Sequence, residues 1–241
     1  MPASADDNAP VLVVEADPAG GDLAARLERE ATGLETLAPA ARHVLDATVL
    51  MAHTQSLREH LQLLAAPTSE AQATAALRVL ADRLAAHLAS APTSTLIDLG
   101  RLSPRSPALP LAAASRVVVW VARPAPEEVA HLKDRLRALD ASAPEVVERS
   151  RLVVVDSGPY AADDFARMVG LPLLGALAFD VQGVDVLYGR HQGRGTELMK
   201  DARSLARALR GDDEHDVRRS AGDLGDKADG LTHEGGRRIV G

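Results

Sequence analysis

Five short, nearly continuous apolar runs alternate with longer helical patterns along this chain, and this alternation most restricts its fold. The runs are Val11–Val14, Thr95–Leu99, Val117–Ala122, Leu152–Val155 and Leu173–Leu177, with a weaker sixth at His60–Ala65. Runs of Val, Leu and Ile without polar alternation predict strands that are covered on both faces, as in a parallel sheet between helices. We therefore predict an α/β protein with a mostly parallel sheet and helices on both faces.

Three helical patterns lie between or after these runs. Ser69 and Gln72 predict a capping box for a helix whose apolar stripe extends to Leu88. Pro126 suits the first position of a second helix, and Thr196 predicts the cap of a third. Each apolar stripe needs a sheet to pack against.

The composition predicts one domain with two irregular ends. A chain of 241 residues with 46% hydrophobic content can bury one sizeable core. We place this α/β domain at residues 11–210, after a flexible N-terminus at 1–10. Residues 211–241 are rich in charge and glycine, which predicts a disordered tail.

Cysteine usage, hydropathy and charge limit the compartment and the ligands. The chain has no cysteine, which excludes disulfides, thiolate metal sites and cysteine nucleophiles. No apolar run reaches the length of a membrane span and the first residues are acidic, so we expect a cytoplasmic protein without an integral membrane segment. A net charge of −7 and 2% aromatic residues disfavour nucleic acid as a general ligand.

Polar residues follow several predicted strands, at the sheet edge where α/β proteins bind ligands. These candidates are Glu15, Asp17, Asp98, Asp156, Ser157 and Asp180. Acids at two strand ends suit a magnesium nucleotide site, in which one carboxylate holds the metal and another positions water. An aspartate at a strand end also caps the following helix, so both interpretations stay open for each residue.

The order of several segments resembles one family. VLVVEADPAGGDLAARL is followed by STLIDLGRLSPRSPALPLAAASRVVVWVARP, then RLVVVDSGPY and GLPLLGALAFD. From about Val11 to Arg210 the chain resembles the MinD/ParA family of P-loop ATPases. It is more narrowly similar to divergent MinD-like proteins of high-GC bacteria, which often carry a degenerate nucleotide loop. The resemblance implies a P-loop NTPase fold.

The resemblance also assigns metal-side residues. The family's motif with two acids falls on Glu15 and Asp17, where Glu15 replaces the usual aspartate. Asp17 would place magnesium and water in an active member, and is therefore the catalytic candidate. The metal-side acid of the family's Walker B strand falls on Asp98, so Asp98 is the metal candidate.

On the adenine side the match is weaker. The loop that cradles adenine falls on Asp156 and Ser157, without its usual asparagine. The later motif falls on Ala178, Phe179 and Asp180, without its usual proline. About half of the nucleotide contacts that the resemblance implies are therefore altered.

The phosphate loop of the family has no counterpart in this sequence. It requires glycines, a lysine and a threonine or serine on the strand before VLVVEAD, yet Lys133, Lys200 and Lys227 all lie in other contexts. The stretch 17–23 is glycine-rich, but Asp17 and Asp22 would repel a phosphate.

Two explanations stay open for the missing unit: a start placed too late, or a natural remnant that has lost the ATPase. The family's phosphate-loop strand is central to its sheet. Without it, we expect its neighbours to close the gap or a partner to fill it, because unpaired buried backbone groups are costly.

The function expected first is that of a noncatalytic or nucleotide-deficient MinD/ParA-like protein. It would position or regulate a cellular assembly, in partitioning, division, or secretion and pilus formation, by pairing with itself as a dimer or with a true ATPase. The alternative is a weak ATPase that binds ATP and magnesium with a phosphate loop supplied from elsewhere. A third hypothesis is a DNA-associated partitioning protein that uses basic residues at 190–210.

Overall fold

The computed structural model describes residues 10–28, 32–155, 158–187 and 195–210. The strands are Val11–Glu15 (β1), Gln55–Arg58 (β2), Leu61–Leu64 (β3), Ser94–Asp98 (β4), Val118–Ala122 (β5), Ser150–Val155 (β6) and Leu173–Leu177 (β7). The helices are Leu23–Arg26 (α1), Leu34–Ala40 (α2), Ala47–Ala52 (α3), Glu70–Ser90 (α4), Leu109–Ala114 (α5), Pro126–Asp140 (α6), Pro144–Glu148 (α7), Ala162–Val169 (α8) and Val181–Leu187 (α9). A further helix occupies residues 197–210.

The strands form two sheets rather than one. The first has four strands in the order β2-β3-β1-β4, and the second has three in the order β5-β6-β7. β1 runs parallel to β3 and β4, and β6 runs parallel to β5 and β7. All six predicted runs are strands, and the mostly parallel arrangement is confirmed. The antiparallel β2 was not predicted, because its sequence QSLR is short and mostly polar.

One helix joins the hydrophobic cores of the two sheets. The first core packs β1 and β3 against α2 and α4, and the second packs β5 and β6 against α6 and α8. Leu111 of α5 is buried in the first core, and the next residue, Ala112, is buried in the second. Leu99, directly after β4, packs against both. The two sheets are therefore held on either side of α5.

A half-buried arginine fixes the end of α5. The Arg149 guanidinium donates hydrogen bonds to the carbonyl oxygens of Ala113, at 2.7 Å, and Ser115, at 2.6 Å. These carbonyls lie at the C-terminus of α5, where helical partners are lacking and a cation is favourable. Arg149 thus ties α5 to the segment that enters β6.

The predicted positions of the helix starts are correct, but one of the predicted capping hydrogen bonds is not formed. Pro126 is the first residue of α6, and the Thr196 hydroxyl accepts a bond from Met199 N at 3.4 Å. Ser69 precedes α4, but its side chain makes no capping bond. Gln72 Nε2 instead donates to Glu35 Oε1 at 3.0 Å. The predicted capping box is therefore wrong, because Gln72 links α4 to α2.

The two sheets end on strands that have a partner on one side only. β4 closes the first sheet and β5 opens the second, and no ladder joins them among the described residues. Leu96 of β4 is 63% exposed and Val121 of β5 is 61% exposed. The prediction that every strand is covered on both faces is wrong for these two. Of the two expectations for the missing strand, closure of the gap by its neighbours is wrong among the described residues, and filling by a partner stays a prediction.

The predicted ends of the domain lie mostly outside the described residues. The flexible N-terminus at 1–10 and the disordered tail at 211–241 therefore stay predictions, apart from Pro10, which is exposed. Within the four described ranges, no helix is both long enough and apolar enough to cross a membrane.

The core of α4 yields a direct test of the packing. Leu80 is completely buried, whereas its neighbour Val79 is 50% exposed. We expect Leu80→Ala to lower the free energy of unfolding by about 2–5 kcal/mol, because it leaves a cavity. The matched Val79→Ala should change it by no more than about 0.5 kcal/mol. Urea denaturation measures both, and equal effects would contradict this packing.

Candidate functional site

The carboxylate of Glu15 is buried at the end of β1, with 2% of the residue exposed. Its Oε1 accepts hydrogen bonds from the backbone N–H groups of Asp22, at 2.8 Å, and Leu23, at 3.0 Å. Its Oε2 accepts from Ala66 N at 3.1 Å. The side chain therefore joins the start of α1 to the segment after β3, and it places a negative charge where the N–H groups of α1 point outward.

The loop between β1 and α1 uses its other N–H groups internally as well. Ala19 N donates to Asp17 Oδ1 at 2.8 Å, and Gly20 N donates to the Asp17 carbonyl at 3.1 Å. Gly21 N donates to the Pro67 carbonyl at 2.9 Å. Together with the two bonds to Glu15, every N–H from 19 to 23 already has a protein acceptor. A phosphate needs such groups free, so the loop as folded does not fit one.

The glycines of this loop allow close packing. Gly20 has a φ of +108°, and a Cβ there would lie 2.4 Å from the carbonyl oxygen of Thr68. At Gly21 a Cβ would lie 2.2 Å from Glu15 Oε2. A side chain at either position would push the loop away from β3. The glycine-rich pattern at 20–21 is thus explained by contacts within the chain.

Asp17 and Asp98 are brought together at the carboxyl ends of β1 and β4. Glu15 and Asp98 are partners in the β1–β4 ladder. Asp98 is exposed, and its Oδ1 accepts a bond from Gly100 N at 3.0 Å. Gly100 has a φ of +56°, and a Cβ there would lie 2.1 Å from Asp17 Cγ. The catalytic and metal candidates therefore lie on either side of Gly100.

Two carboxylates are fewer ligands than a protein metal site normally supplies. In the described part of the chain, no group of three or more His, Cys, Asp or Glu side chains could hold a metal ion. Waters and phosphate oxygens complete a magnesium shell in nucleotide sites, so the assignment of Asp17 and Asp98 stays a prediction.

The remaining candidates lie at the carboxyl ends of β6 and β7. Asp156 and Ser157 fall outside the described residues. Asp180 follows β7, and its oxygens accept backbone bonds from Gly183, at 2.9 Å, and Leu198, at 3.1 Å. Asp180 thus links the start of α9 to the start of the 197–210 helix. The N–H of Gly183 and then that of Leu198 are the main causes that lower the Asp180 pKa below its ordinary value of 3.8.

The basic residues of the last helix are only partly described. Lys200, Arg203, Arg207 and Arg210 are exposed, and Lys200 Nζ is bound to Glu197 Oε1 at 2.6 Å. Arg190, His191 and Arg194 lie outside the described ranges. The opposite side of this helix packs on the second sheet, since a Cβ at Gly175 would lie 2.7 Å from Leu205 Cδ2. DNA binding by the basic side stays a prediction.

Sequence reasoning missed two features of this end of the molecule. The Ala66 N–H that binds Glu15 belongs to a segment 51 residues away, and no local motif marks it. The exposed Leu96 and Val121 lie in runs that look like interior strands. Only the strand order reveals that each lies at the end of a sheet.

The bonds of Glu15 can be tested by an isosteric change. Glu15→Gln replaces one accepting oxygen by an NH2 group, which cannot accept a bond from a backbone N–H. We expect the free energy of unfolding to fall by about 1–3 kcal/mol, measured by urea denaturation at neutral pH. Asp17→Asn, which keeps an acceptor for Ala19 N, should change it by no more than about 0.5 kcal/mol. Unchanged stability of Glu15→Gln would show that these bonds do not hold the loop.

Asp180 makes the docking of the last helix dependent on pH. A carboxyl group with a lowered pKa in the folded state stabilises above its ordinary value of 3.8, and this contribution is lost as the pH falls through the lowered pKa. We expect the exchange protection of the Leu198 amide, relative to its intrinsic rate, to be constant at higher pH and to fall only in that acidic range. Asp180→Asn should remove this dependence. A loss of protection already near neutral pH would contradict the role of Asp180.

Comparisons of sequence find no match, either to a protein-family model or to a curated protein. Comparisons of structure do find matches. A ParA family ATPase from Chlorobium tepidum TLS has a TM-score of 0.68 at 17% identity, covering 85% of this chain and 86% of that chain.

Two further solved structures agree with this match. The cell division ATPase MinD of Pyrococcus furiosus has a TM-score of 0.59 at 13% identity, covering 83% of this chain and 85% of that one. The McdA(D38A)–ATP complex of Cyanothece has a TM-score of 0.58 at 17% identity, covering 84% and 86%. The chain therefore has the fold of the MinD/ParA P-loop ATPases.

Proposed function

We propose that this chain is a nucleotide-deficient protein with the MinD/ParA fold that acts by binding another protein, and that it positions or regulates a cellular assembly. The observation that carries the proposal is the buried carboxylate of Glu15 at the start of α1, which accepts three backbone N–H bonds. The following steps support it.

The first step concerns charge and donors. A phosphate binds at a helix start through free N–H groups and the positive end of the helix dipole. In this chain the Glu15 carboxylate already takes that position, and every N–H from 19 to 23 has an acceptor. A phosphate would have to break these bonds and would meet the negative charges of Glu15 and Asp17. Both costs oppose nucleotide binding.

The second step concerns lysine, which neutralises the β and γ phosphates in P-loop proteins. Lys133 lies exposed in the middle of α6, and Lys200 is bound to Glu197. Lys227 lies outside the described residues, in the sequence GDKADG. None follows a glycine-rich loop in the printed sequence.

The proposed role in positioning rests on the fold alone. The structural matches include a ParA family ATPase and a cell division ATPase, and a fold can be kept while its site changes. A chain that keeps this fold but has no free N–H groups for a phosphate in its glycine-rich loop still has surfaces that can bind a protein. Partitioning or division is therefore proposed by analogy.

A second function is favoured by one observation, the closeness of Asp17 and Asp98. Two exposed or half-exposed carboxylates at adjacent strand ends suit magnesium. If a phosphate loop is supplied by a separate segment, these carboxylates would face the metal, and the chain would be a weak ATPase. This alternative requires ATP and magnesium to bind with both carboxylates in place.

Calorimetry with ATP and magnesium separates the two functions. We expect the purified full chain to show no binding at micromolar nucleotide, because each N–H group from 19 to 23 already donates a hydrogen bond to an acceptor within the chain. Micromolar binding would contradict the proposal. The Asp98→Asn variant is the matched control, since it keeps the shape of the side chain: if binding occurs in the parent and is lost in this variant, the magnesium site of the alternative is supported.

A further inference from the structure

A groove with an apolar floor lies between α4, α5 and the connection from α6 to α7. Its volume is about 530 Å³, and we call it the α4–α5 groove. The apolar residues that line it are Ala85, Leu109, Pro110, Ala113, Ala114 and Ala143. Four of these six are alanines, whose side chains are too short to fill the space between the helices. The groove is open to solvent, since Ala114 is exposed.

The polar residues of the groove include two carboxylates. Asp82 of α4 and Glu145 of α7 line it, together with Ser142. Both acidic residues are exposed, and neither side chain has a hydrogen bond or an ion pair with another described residue. The Ser142 hydroxyl lies 3.3 Å from the carbonyl oxygens of Ala138 and Leu139, which it can bond. The two carboxylates are therefore the polar groups that the groove offers to a partner.

A cation near the groove, Arg149, does not pair with these carboxylates. Its Nε donates to the carbonyl oxygen of Glu145 at 2.9 Å, and its other two nitrogens donate to the carbonyl oxygens of Ser115 and Ala113. No ion pair joins Arg149 to Asp82 or Glu145 in the described part of the chain. A surface with two unpaired carboxylates is complementary to a partner that carries positive charge.

The walls of the groove come from both hydrophobic cores. Ala85 of α4 belongs to the first core, and Ala143 belongs to the second. Between them α5 packs against both α4 and α7. A partner in the groove would therefore contact both halves of the molecule at the place where α5 joins them.

The groove is separate from the candidate nucleotide site. The first half of α4 contacts the loop after β1, where the Thr74 hydroxyl donates to the Pro18 carbonyl oxygen at 3.2 Å. Asp82 follows Thr74 by eight residues in the same helix, which is about 12 Å along the helix axis. A partner can thus bind the groove without contacting the strand ends that carry Asp17 and Asp98.

The elements around the groove determine what kind of partner it fits. An open groove does not enclose a small molecule as ligand clefts do. No strand residue lines it, and the helices that do use their backbone groups internally. A partner segment must therefore satisfy its own backbone hydrogen bonds, as a helix does.

We propose that the α4–α5 groove binds a short amphipathic helix of a partner protein. Apolar side chains on one face of this helix contact the alanines and Leu109, and lysine or arginine side chains beside that face pair with Asp82 and Glu145. The inference rests on the proposed function, in that the chain acts by binding another protein.

A designed peptide tests the groove directly. The probe is a blocked helical peptide of leucine, alanine and lysine, with its leucines on one face and lysines beside them. Its control has the same composition in an order that spreads the leucines around the helix. We expect the full chain to bind only the probe, with slower amide exchange at 82–85, 109–114 and 142–145. Added salt should weaken the binding, because the ion pairs at the groove are exposed.

Variants of the full chain locate the binding. Ala114→Lys should weaken the affinity for the probe at least about tenfold, because it fills the groove and places a like charge beside the lysines of the probe. Ala86→Lys is the matched control, since Ala86 is also exposed and lines a different cavity with His43. It should leave the affinity unchanged. Both alanines are exposed, so both variants should fold.

A double variant tests the charges without changing the shape of the groove. Asp82→Asn combined with Glu145→Gln should weaken the affinity about twofold to tenfold, as expected for two exposed ion pairs. It should also remove most of the dependence of the affinity on salt. An unchanged salt dependence would contradict the assignment of these two carboxylates.

Three further outcomes would overturn the proposal. They are equal binding of the probe and the scrambled control, an affinity that Ala114→Lys does not change, and self-association that Ala114→Lys abolishes without any binding of the probe. The last would assign the groove to a second copy of the chain. Nucleotide binding is measured separately, so a chain that binds neither ATP nor the probe loses this inference and keeps the proposed function.

Discussion

The arrangement of the chain at the carboxyl end of the first sheet depends on the hydrogen bonds of the Glu15 carboxylate. A buried charge needs bonds to all of its oxygens, and the chain supplies them from backbone N–H groups at the start of α1 and after β3. These bonds fix the loop between β1 and α1 against β3, and the loop in turn places Asp17 beside Gly100. A single side chain thus orders the end of the first sheet and accepts hydrogen bonds from two of the five N–H groups that the loop from 19 to 23 could offer to an anion.

Most of the architecture could be predicted because strong, long patterns specify it. The apolar runs of β1 and β5 are rich in valine, which favours a strand, and the apolar stripe of α4 continues over several turns. The short β2 could not be predicted, since three of its four residues are polar and its pairing comes from the tertiary context. The capping of α4 failed for a similar reason: Gln72 finds Glu35 on α2, a contact that local sequence does not encode.

The closeness of Asp17 and Asp98 was predictable from the sequence, but the hydrogen-bond partners of the acidic candidates were not. The rule that parallel strands end at one edge brings Asp17 and Asp98 together correctly. It does not say what Glu15 binds, because its partners come from three places in the chain. It also does not reveal that Asp180 joins two helices. When a carboxylate accepts hydrogen bonds from backbone N–H groups that are distant in sequence, only the folded structure reveals these bonds.

The bridging position of α5 has a consequence for how the molecule unfolds. Hydrogen-bonded ladders make a sheet cooperative, but the two sheets share none among the described residues. Cohesion between the halves passes through six residues of α5, through Leu99 and through the bonds of Arg149. Units that share no ladder can differ in their free energies of local opening. We therefore expect the two halves to differ in amide exchange protection, with α5 as the element that couples them.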